Sequence, residues 1–327
     1  MNLLVVRLGA LGDIVHTVPA VAAIGASLPG VRIDWLVEQK HRPVLDLFDL
    51  AVRPVVIEGG SVGAFLGGMR SLRANRYDVA LDFQGLLKSA ILARGSGAPR
   101  VVGFSRAALR EPMAARFYTE DVNPGTARHV IAKNLALPRA VGVESDSIRV
   151  PLKRPGGGRP TERRVVLNPG AGWPNKQWPP DRFGAVAAGL RKKRQLQSVV
   201  TWGPGEEFLA RAVVESSEGA AELAPATTLP QLMSILASAA LVVSGDTGPI
   251  HLAAAAGAPI VGLYGPTDPA RNGPWSVSDV TVSRFSGCVC HHKRRCHRAT
   301  RCLDDITVEE VLAAAETRLD GAAGTAA

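Results

Sequence analysis

Aromatic residues make up only 5% of this 327-residue chain. A core with so few rings must be built from small and branched aliphatic side chains. The abundance of Ala and Gly suits helices packed closely on a sheet, so an α/β fold is expected. No uncharged apolar run elsewhere in the chain reaches the ~18 residues that a membrane span needs. The N-terminal stretch MNLLVVRLGALGDIVHTVPAVAAIG has no basic n-region, and Arg7 and Asp13 interrupt its apolar core, which argues against a signal peptide. A soluble, cytoplasmic protein is expected, with any membrane contact peripheral. Cysteine is confined to one segment, between Cys288 and Cys302, so its four residues cannot staple the fold globally. Acidic residues are in short supply: 29 Asp and Glu against 38 Lys and Arg leave a net charge of +9 and a pI near 9.8. That balance favours anionic lipid surfaces, phosphorylated substrates or nucleic acid, although an excess of surface Arg gives the same number. Zinc-finger spacing and aromatic-interleaved RNA-binding motifs are both missing, so no nucleic-acid partner is expected. No Asp-x-Asp motif sits on a strand-end loop to bind a divalent metal.

What is present is a regular alternation. Of all residues, 46% are hydrophobic, enough to bury the cores of two ordinary domains. Strands are expected at 3–6, 32–37, 52–57, 79–83 and 100–104, with a helix near 14–27 and further helical stretches between. The stretch that opens PLKRPGGGRPTERR is rich in Pro, Gly and charge and reads as a linker over 151–163. After it the alternation restarts, with strands at 165–168, 198–202, 222–224, 241–244 and 260–264. The helices of this half fall near 182–194, 206–217, 230–239, 250–256 and 308–319. This is βαβ alternation, hence two mostly parallel sheets with right-handed crossovers. Two domains are expected, 1–150 and 164–327. A ligand cleft between them, at strand C-terminal ends, is the natural place for a site.

Several strand-end loops carry residues able to do chemistry. In Arg7-Leu-Gly-Ala-Leu-Gly-Asp13 the spacing is G-x-x-G-D, which is not the dinucleotide fingerprint. Asp13 could accept a proton at the mouth of a cleft or could simply cap the first helix. In Asn168-Pro-Gly-Ala-Gly-Trp-Pro-Asn-Lys176-Gln-Trp-Pro179, Lys176 could neutralise a phosphate or stand exposed on an irregular loop. In Ser244-Gly-Asp246-Thr247-Gly248-Pro249-Ile-His251 a strand gives way to a helix whose N–H groups could hold a diphosphate. Asp246 and Thr247 serve equally well as caps there, and His251 as a satisfied core histidine. Glu206, after Trp202-Gly-Pro-Gly, could bind ribose hydroxyls or favour a helix dipole.

The stretch DTGPIHLAAAAGAPIVGLYGPTDPARNGP, residues 246–274, resembles the signature of the bacterial heptosyltransferases. These enzymes of glycosyltransferase family 9 transfer heptose from ADP-heptose to the lipopolysaccharide inner core. GDIVHTVPAV at 12–21, Asp82-Phe-Gln84-Gly-Leu-Leu-Lys88-Ser89 and KQWP at 176–179 resemble the same family in the same order. The resemblance implies a GT-B fold, two Rossmann-like α/β domains, with the N-terminal one facing the acceptor and the C-terminal one holding the nucleotide sugar. It implies inverting transfer of heptose onto Kdo or heptose without a metal ion. Asp13 would be the base, while Lys176, Asp246, Thr247, Gly248 and His251 would contact the donor. Glu206 aligns with a ribose-binding Glu. Gln84, Lys88 and Arg106 are expected to face an anionic lipid-core acceptor, with the protein peripheral on the cytoplasmic face of the inner membrane. The alternatives are a same-fold transferase with another nucleotide sugar or a protein acceptor, and a non-catalytic nucleotide-sugar-binding module. Asp13 separates them, since a binding module has no need of a base.

The Cys segment, Cys288-x-Cys290-x5-Cys296-x5-Cys302, is set in basic sequence. Four clustered thiols in a reducing compartment suit structural Zn or Fe, although C-x-C is tighter than the usual zinc knuckle. Free or redox-labile thiols are the other reading.

Overall fold

The computed structural model describes residues 1–58, 62–153, 163–291, 293–296 and 298–323. The chain divides into two compact units, Met1–Lys153 and Arg154–Ala327. Most of the linker expected over 151–163 lies outside the described residues. Its first residues turn back on the first unit, where Lys153 N–H donates to Leu47 O at 2.9 Å and Asp49 N–H to Pro151 O at 2.8 Å.

The first unit runs β1 (Asn2–Val6), α1 (Leu11–Ser27), β2 (Arg32–Glu38), α2 (Arg42–Leu45), β3 (Val52–Ile57) and α3 (Val62–Ala74). It continues with β4 (Val79–Asp82), α4 (Leu87–Gly95), β5 (Arg100–Phe104), β6 (Glu120–Val122) and α5 (Val130–Ala136). Its strands form a parallel sheet in the order β3-β2-β1-β4-β5-β6. The second unit repeats the plan. It runs β7 (Val165–Asn168), α6 (Pro180–Arg194), β8 (Ser198–Val200), α7 (Glu207–Glu215), β9 (Ala221–Leu223) and α8 (Leu229–Ala237). Then come β10 (Leu241–Gly245), α9 (Gly248–Ala255), β11 (Ile260–Tyr264), α10 (Pro269–Asn272), β12 (Val280–Ser283) and α11 (Val308–Ala323). Its sheet, also parallel, is ordered β9-β8-β7-β10-β11-β12.

Both units therefore share one topology, in which the winding reverses beside the first strand. The crevice at such a reversal opens at the strand C-termini. In the first unit it lies between β1 and β4, in the second between β7 and β10. The central strands are covered on both faces: Leu3, Leu4, Val5 and Val6 are fully buried, as are Leu241, Val242 and Val243. That is why they read as unbroken apolar runs rather than alternating ones. Each such side chain contributes about 1.5–3 kcal/mol by leaving water.

Two strands lay outside the expectation. β6, Glu-Asp-Val, and β12, Val-Thr-Val-Ser, are short outer strands with few buried side chains. α1 begins at Leu11 rather than near 14, which places Asp13 in its first turn. α9 begins at Gly248 rather than near 250.

Candidate active site

In the first unit the loop after β1 and the turn after β4 are stitched together. Leu8 N–H donates to Gln84 Oε1 at 2.9 Å. Asp13 Oδ2 accepts from Ala10 N–H at 3.3 Å, so Asp13 does satisfy a first-turn donor. Its other oxygen, Oδ1, has no hydrogen-bond partner among the described residues, and the side chain is half-buried at this edge. His41, which the sequence reading missed, stands within the field of Asp13. Burial and the Lys40 charge press its pKa below the ordinary imidazole value, against the opposite pull of Glu38 and Asp13.

The Gln84 turn is set by a carboxylate beneath it. Asp82 is fully buried, and its Oδ1 accepts from Gln84 N–H at 2.9 Å and Gly85 N–H at 3.2 Å. Its Oδ2 accepts from the Ser89 and Tyr118 hydroxyls, both at 2.9 Å. Burial raises the pKa of Asp82, and these neutral donors do not reverse the shift. Lys88 is exposed and pairs with Glu38 at 2.8 Å; Glu38 also meets Lys40 at 3.3 Å. Arg106 is exposed in the turn after β5, and no other described residue pairs with its side chain.

In the second unit the reversal point gathers more of the expected residues. Asn168, the last residue of β7, donates to Gly170 O at 3.2 Å, Ser244 Oγ at 3.3 Å and Thr247 Oγ1 at 3.4 Å. Lys176 ends a short 3-10 turn, Pro174–Lys176, with its ammonium 2.5 Å from Asp246 Oδ2 and 4.6 Å above the Trp173 ring. The backbone of β10 allows this approach: a Cβ at Gly245 would stand 2.9 Å from Lys176 O. Asp246 is itself saturated. Its Oδ1 accepts from Asn272 Nδ2 at 2.7 Å and lies 3.4 Å from His251 Nε2. Burial alone would raise its pKa, but the His251 hydrogen bond and the Lys176 charge outweigh burial and hold it well below the carboxylate range. Asn272, in α10, is a second residue the sequence reading missed.

Thr247 sits at the N-cap of α9 in extended conformation, without a side-chain cap. Its hydroxyl is turned to Ser244, at 3.3 Å. The Gly248 end of the helix thus keeps its N–H groups for an anion. Glu206 occupies the N-cap position of α7, and its carboxylate, instead of capping the helix, accepts from Gly203 N–H at 3.2 Å. It also rests against Gly170, where a Cβ would collide with its carboxylate. Glu206, Lys176, Thr247, Gly248 and His251 are therefore gathered on the C-terminal edge of one sheet.

The Cys segment follows β12. Cys288, Cys290 and Cys302 are buried free thiols whose sulfurs all lie within 4.8 Å of one another, and half-buried Cys296 packs against them.

Two parallel-sheet α/β domains in one chain match the GT-B fold of solved heptosyltransferases. Escherichia coli heptosyltransferase WaaC with ADP-2-deoxy-2-fluoro heptose matches with a TM-score of 0.77 and 26% identity, over 97% of this chain and 99% of that one. Lipopolysaccharide heptosyltransferase 1 of Pseudomonas aeruginosa is 31% identical over 319 residues, 90% of this chain and 87% of the relative. That of Salmonella typhimurium is 29% identical over 303 residues, 86% and 93% of the two chains. The model of glycosyltransferase family 9 (heptosyltransferase) matches residues 68–300. The chain belongs to this family.

Proposed function

We propose that the protein transfers heptose from ADP-heptose to the lipopolysaccharide inner core, onto Kdo or heptose, by a single displacement that inverts the anomeric carbon. The observation that carries this reading is Lys176 locked on Asp246 beside the open N-terminus of α9. A cation and oriented N–H groups at one strand edge form a diphosphate site. The relatives are named for heptose transfer to lipopolysaccharide, and WaaC was solved with an ADP-heptose analogue.

In this mechanism the acceptor oxygen attacks the anomeric carbon as its bond to the diphosphate breaks, and ADP leaves with the bonding pair. Asp13 takes the hydroxyl proton through Oδ1. Lys176 and the first turn of α9 balance the charge that grows on the departing diphosphate, a stabilisation worth more in the transition state than in the ground state. Glu206 binds ribose hydroxyls, and His251 and Thr247 shape the pocket for the sugar. Asp246 acts through Lys176 and His251, which it orients. Gln84, Lys88 and Arg106 face the acceptor, so the first unit serves the acceptor and the second the donor. Transfer by this route needs no metal ion. Cys288, Cys290, Cys296 and Cys302 are the residues that would hold a Zn or Fe ion, which would serve the fold of this segment and not the chemical step.

Among the described residues no helix is long and apolar enough to cross a membrane. A net charge of +9 supports peripheral contact with the cytoplasmic face of the inner membrane, where an anionic acceptor lipid is presented. Thermal unfolding with a panel of sugar nucleotides tests the donor. ADP-heptose at a hundredfold excess over its Kd adds about 2.7 kcal/mol and raises Tm. Protection by a UDP-sugar alone would move the assignment to a same-fold transferase with another donor.

A further inference from the structure

The Cys segment is more than a local staple, because it holds the turn that carries Lys176. The sulfurs of Cys288 and Cys290 are 3.5 Å apart, as are those of Cys302 and Cys288. Metal–sulfur bonds of about 2.3 Å in a tetrahedron place neighbouring sulfurs about 3.8 Å apart. The observed spacing is thus too long for disulfides and close to that of a shared cation. These buried thiols cluster with one another rather than with hydrocarbon. Amide donors already point at the sulfurs: Cys290 N–H reaches Cys288 Sγ at 3.4 Å, and Asn175 Nδ2 lies 3.9 Å from Cys290 Sγ. Four thiolates on a divalent ion leave two negative charges, and Lys293, Arg294, Arg295, Arg298 and Arg301 surround them in the chain.

The same segment grips the donor turn. Asn175, the neighbour of Lys176, is buried at 2% exposure and donates to Lys293 O at 2.7 Å. Arg301 Nη1 donates to Pro174 O at 3.0 Å, while its guanidinium is held by Asp304 at 2.9 Å. The Arg294 guanidinium lies 5.9 Å from the centre of the Trp173 ring, over which Lys176 also stands. Only short turns link Cys288 to Cys302 among the described residues, so these side-chain contacts and the clustered sulfurs, rather than a helix or strand, hold the loop.

We propose that Cys288, Cys290, Cys296 and Cys302 bind one thiophilic metal ion, zinc or iron, and that this ion sets diphosphate affinity by fixing the Asn175–Lys176 turn. The coupling rests on the donor reading above; the metal site does not. Elemental analysis of the purified full chain should give one zinc or iron per chain and say which. Cobalt loading should give the intense sulfur-to-cobalt absorption of a tetrathiolate. ADP binding by calorimetry should weaken about tenfold on metal removal, an ordinary magnitude for coupled sites. Since the stripped protein could lose its fold, Asn175→Ala is the second arm. It leaves every sulfur in place, so it should keep one metal per chain and still weaken ADP several-fold. A chain without metal and without a cobalt band, or with paired disulfides by mass spectrometry, overturns the site while leaving the donor reading intact. A metal-loaded chain whose ADP affinity ignores both metal removal and Asn175→Ala overturns the coupling. Failure of ADP to bind even the loaded wild-type chain overturns the donor reading and the coupling together, with the metal count still standing.

Discussion

The two units share a strand order, and each places a buried carboxylate at the end of its fourth strand. Asp82 closes β4; Asp246 follows β10. Their surroundings differ in one respect that decides their chemistry. Asp82 meets only neutral donors, two hydroxyls and two backbone N–H groups, and burial raises its pKa. Asp246 faces burial too, yet His251 and Lys176 press its pKa far down. A buried carboxylate with neutral partners shapes a turn, here the Gln84 turn. One with a cationic partner fixes a charge in place, here Lys176. Asp13 belongs to neither kind, because it is only half-buried and its Oδ1 has no hydrogen-bond partner among the described residues. Fold alone does not distinguish these roles.

The largest expected effect tests Asp13 against both scaffolding carboxylates. Asp13→Asn should lower the transfer rate about 10²–10⁴-fold, the usual cost of losing a general base. ADP affinity and urea midpoint should stay near wild type. Wild-type turnover in the variant would leave Asp13 as a helix cap only.

Asp246→Ala strands a cation that is 16% exposed, and breaking such a pair costs about 3–5 kcal/mol of stability. Asp82→Asn removes no charged pair and should cost about 1–3 kcal/mol. Urea unfolding measures both, and an equal cost would erase the distinction. Acid sharpens the contrast. The folded pKa of Asp246 is depressed, so its stabilising contribution is present above the ordinary carboxylate range and lost as pH falls through and below it. That of Asp82 is raised, so its contribution is present at low pH and lost as pH rises through the raised value. Stability measured downward from pH 7 should therefore lose an initial relief in Asp82→Asn and a later acid loss in Asp246→Asn.

Lys176→Ala should weaken ADP binding and slow transfer together, by about tenfold or more, since the diphosphate is anionic both before and during departure. Unchanged ADP affinity by calorimetry would remove Lys176 from the donor site.

Why some of this was legible in the sequence, and some was not, follows from the same contrast. Central strands announce themselves as apolar runs because both faces are covered. β6 and β12 are outer strands in which Glu120, Asp121, Thr281 and Ser283 carry no such signal. Lys176, Asp246 and His251 were singled out because their loops resemble the heptosyltransferase signature; spacing alone left them as an exposed loop cation, a helix cap and a core histidine. Asn272 and Asn175 were not, because Asn in a turn is ordinary. Only the fold shows that one reaches Asp246 and the other the Cys segment. His41 lay in a stretch with no motif of its own.

The smallest expected effect concerns the acceptor side. Lys88 and Arg106 were grouped as cations for an anionic acceptor, but the structure separates them. Lys88 is engaged by Glu38, whose pKa burial raises while Lys88 and Lys40 pull it lower on balance. Arg106 is exposed, and its side chain has no partner among the described residues. Neutralising Lys88 removes one positive charge and leaves Glu38 paired with Lys40 alone, at a site already screened by water. Exposed pairs of this kind are worth about 0–1 kcal/mol. Lys88→Ala together with Arg106→Ala should therefore raise the acceptor KM only about two- to fivefold, within that energy scale. The donor KM should be left near its original value. The wild-type acceptor KM should rise with salt, as screening requires, and the double variant should respond less steeply. If neither salt nor the substitutions moved the acceptor KM, an anionic acceptor would lose its electrostatic support on this unit. A neutral sugar or protein hydroxyl would then fit the site better.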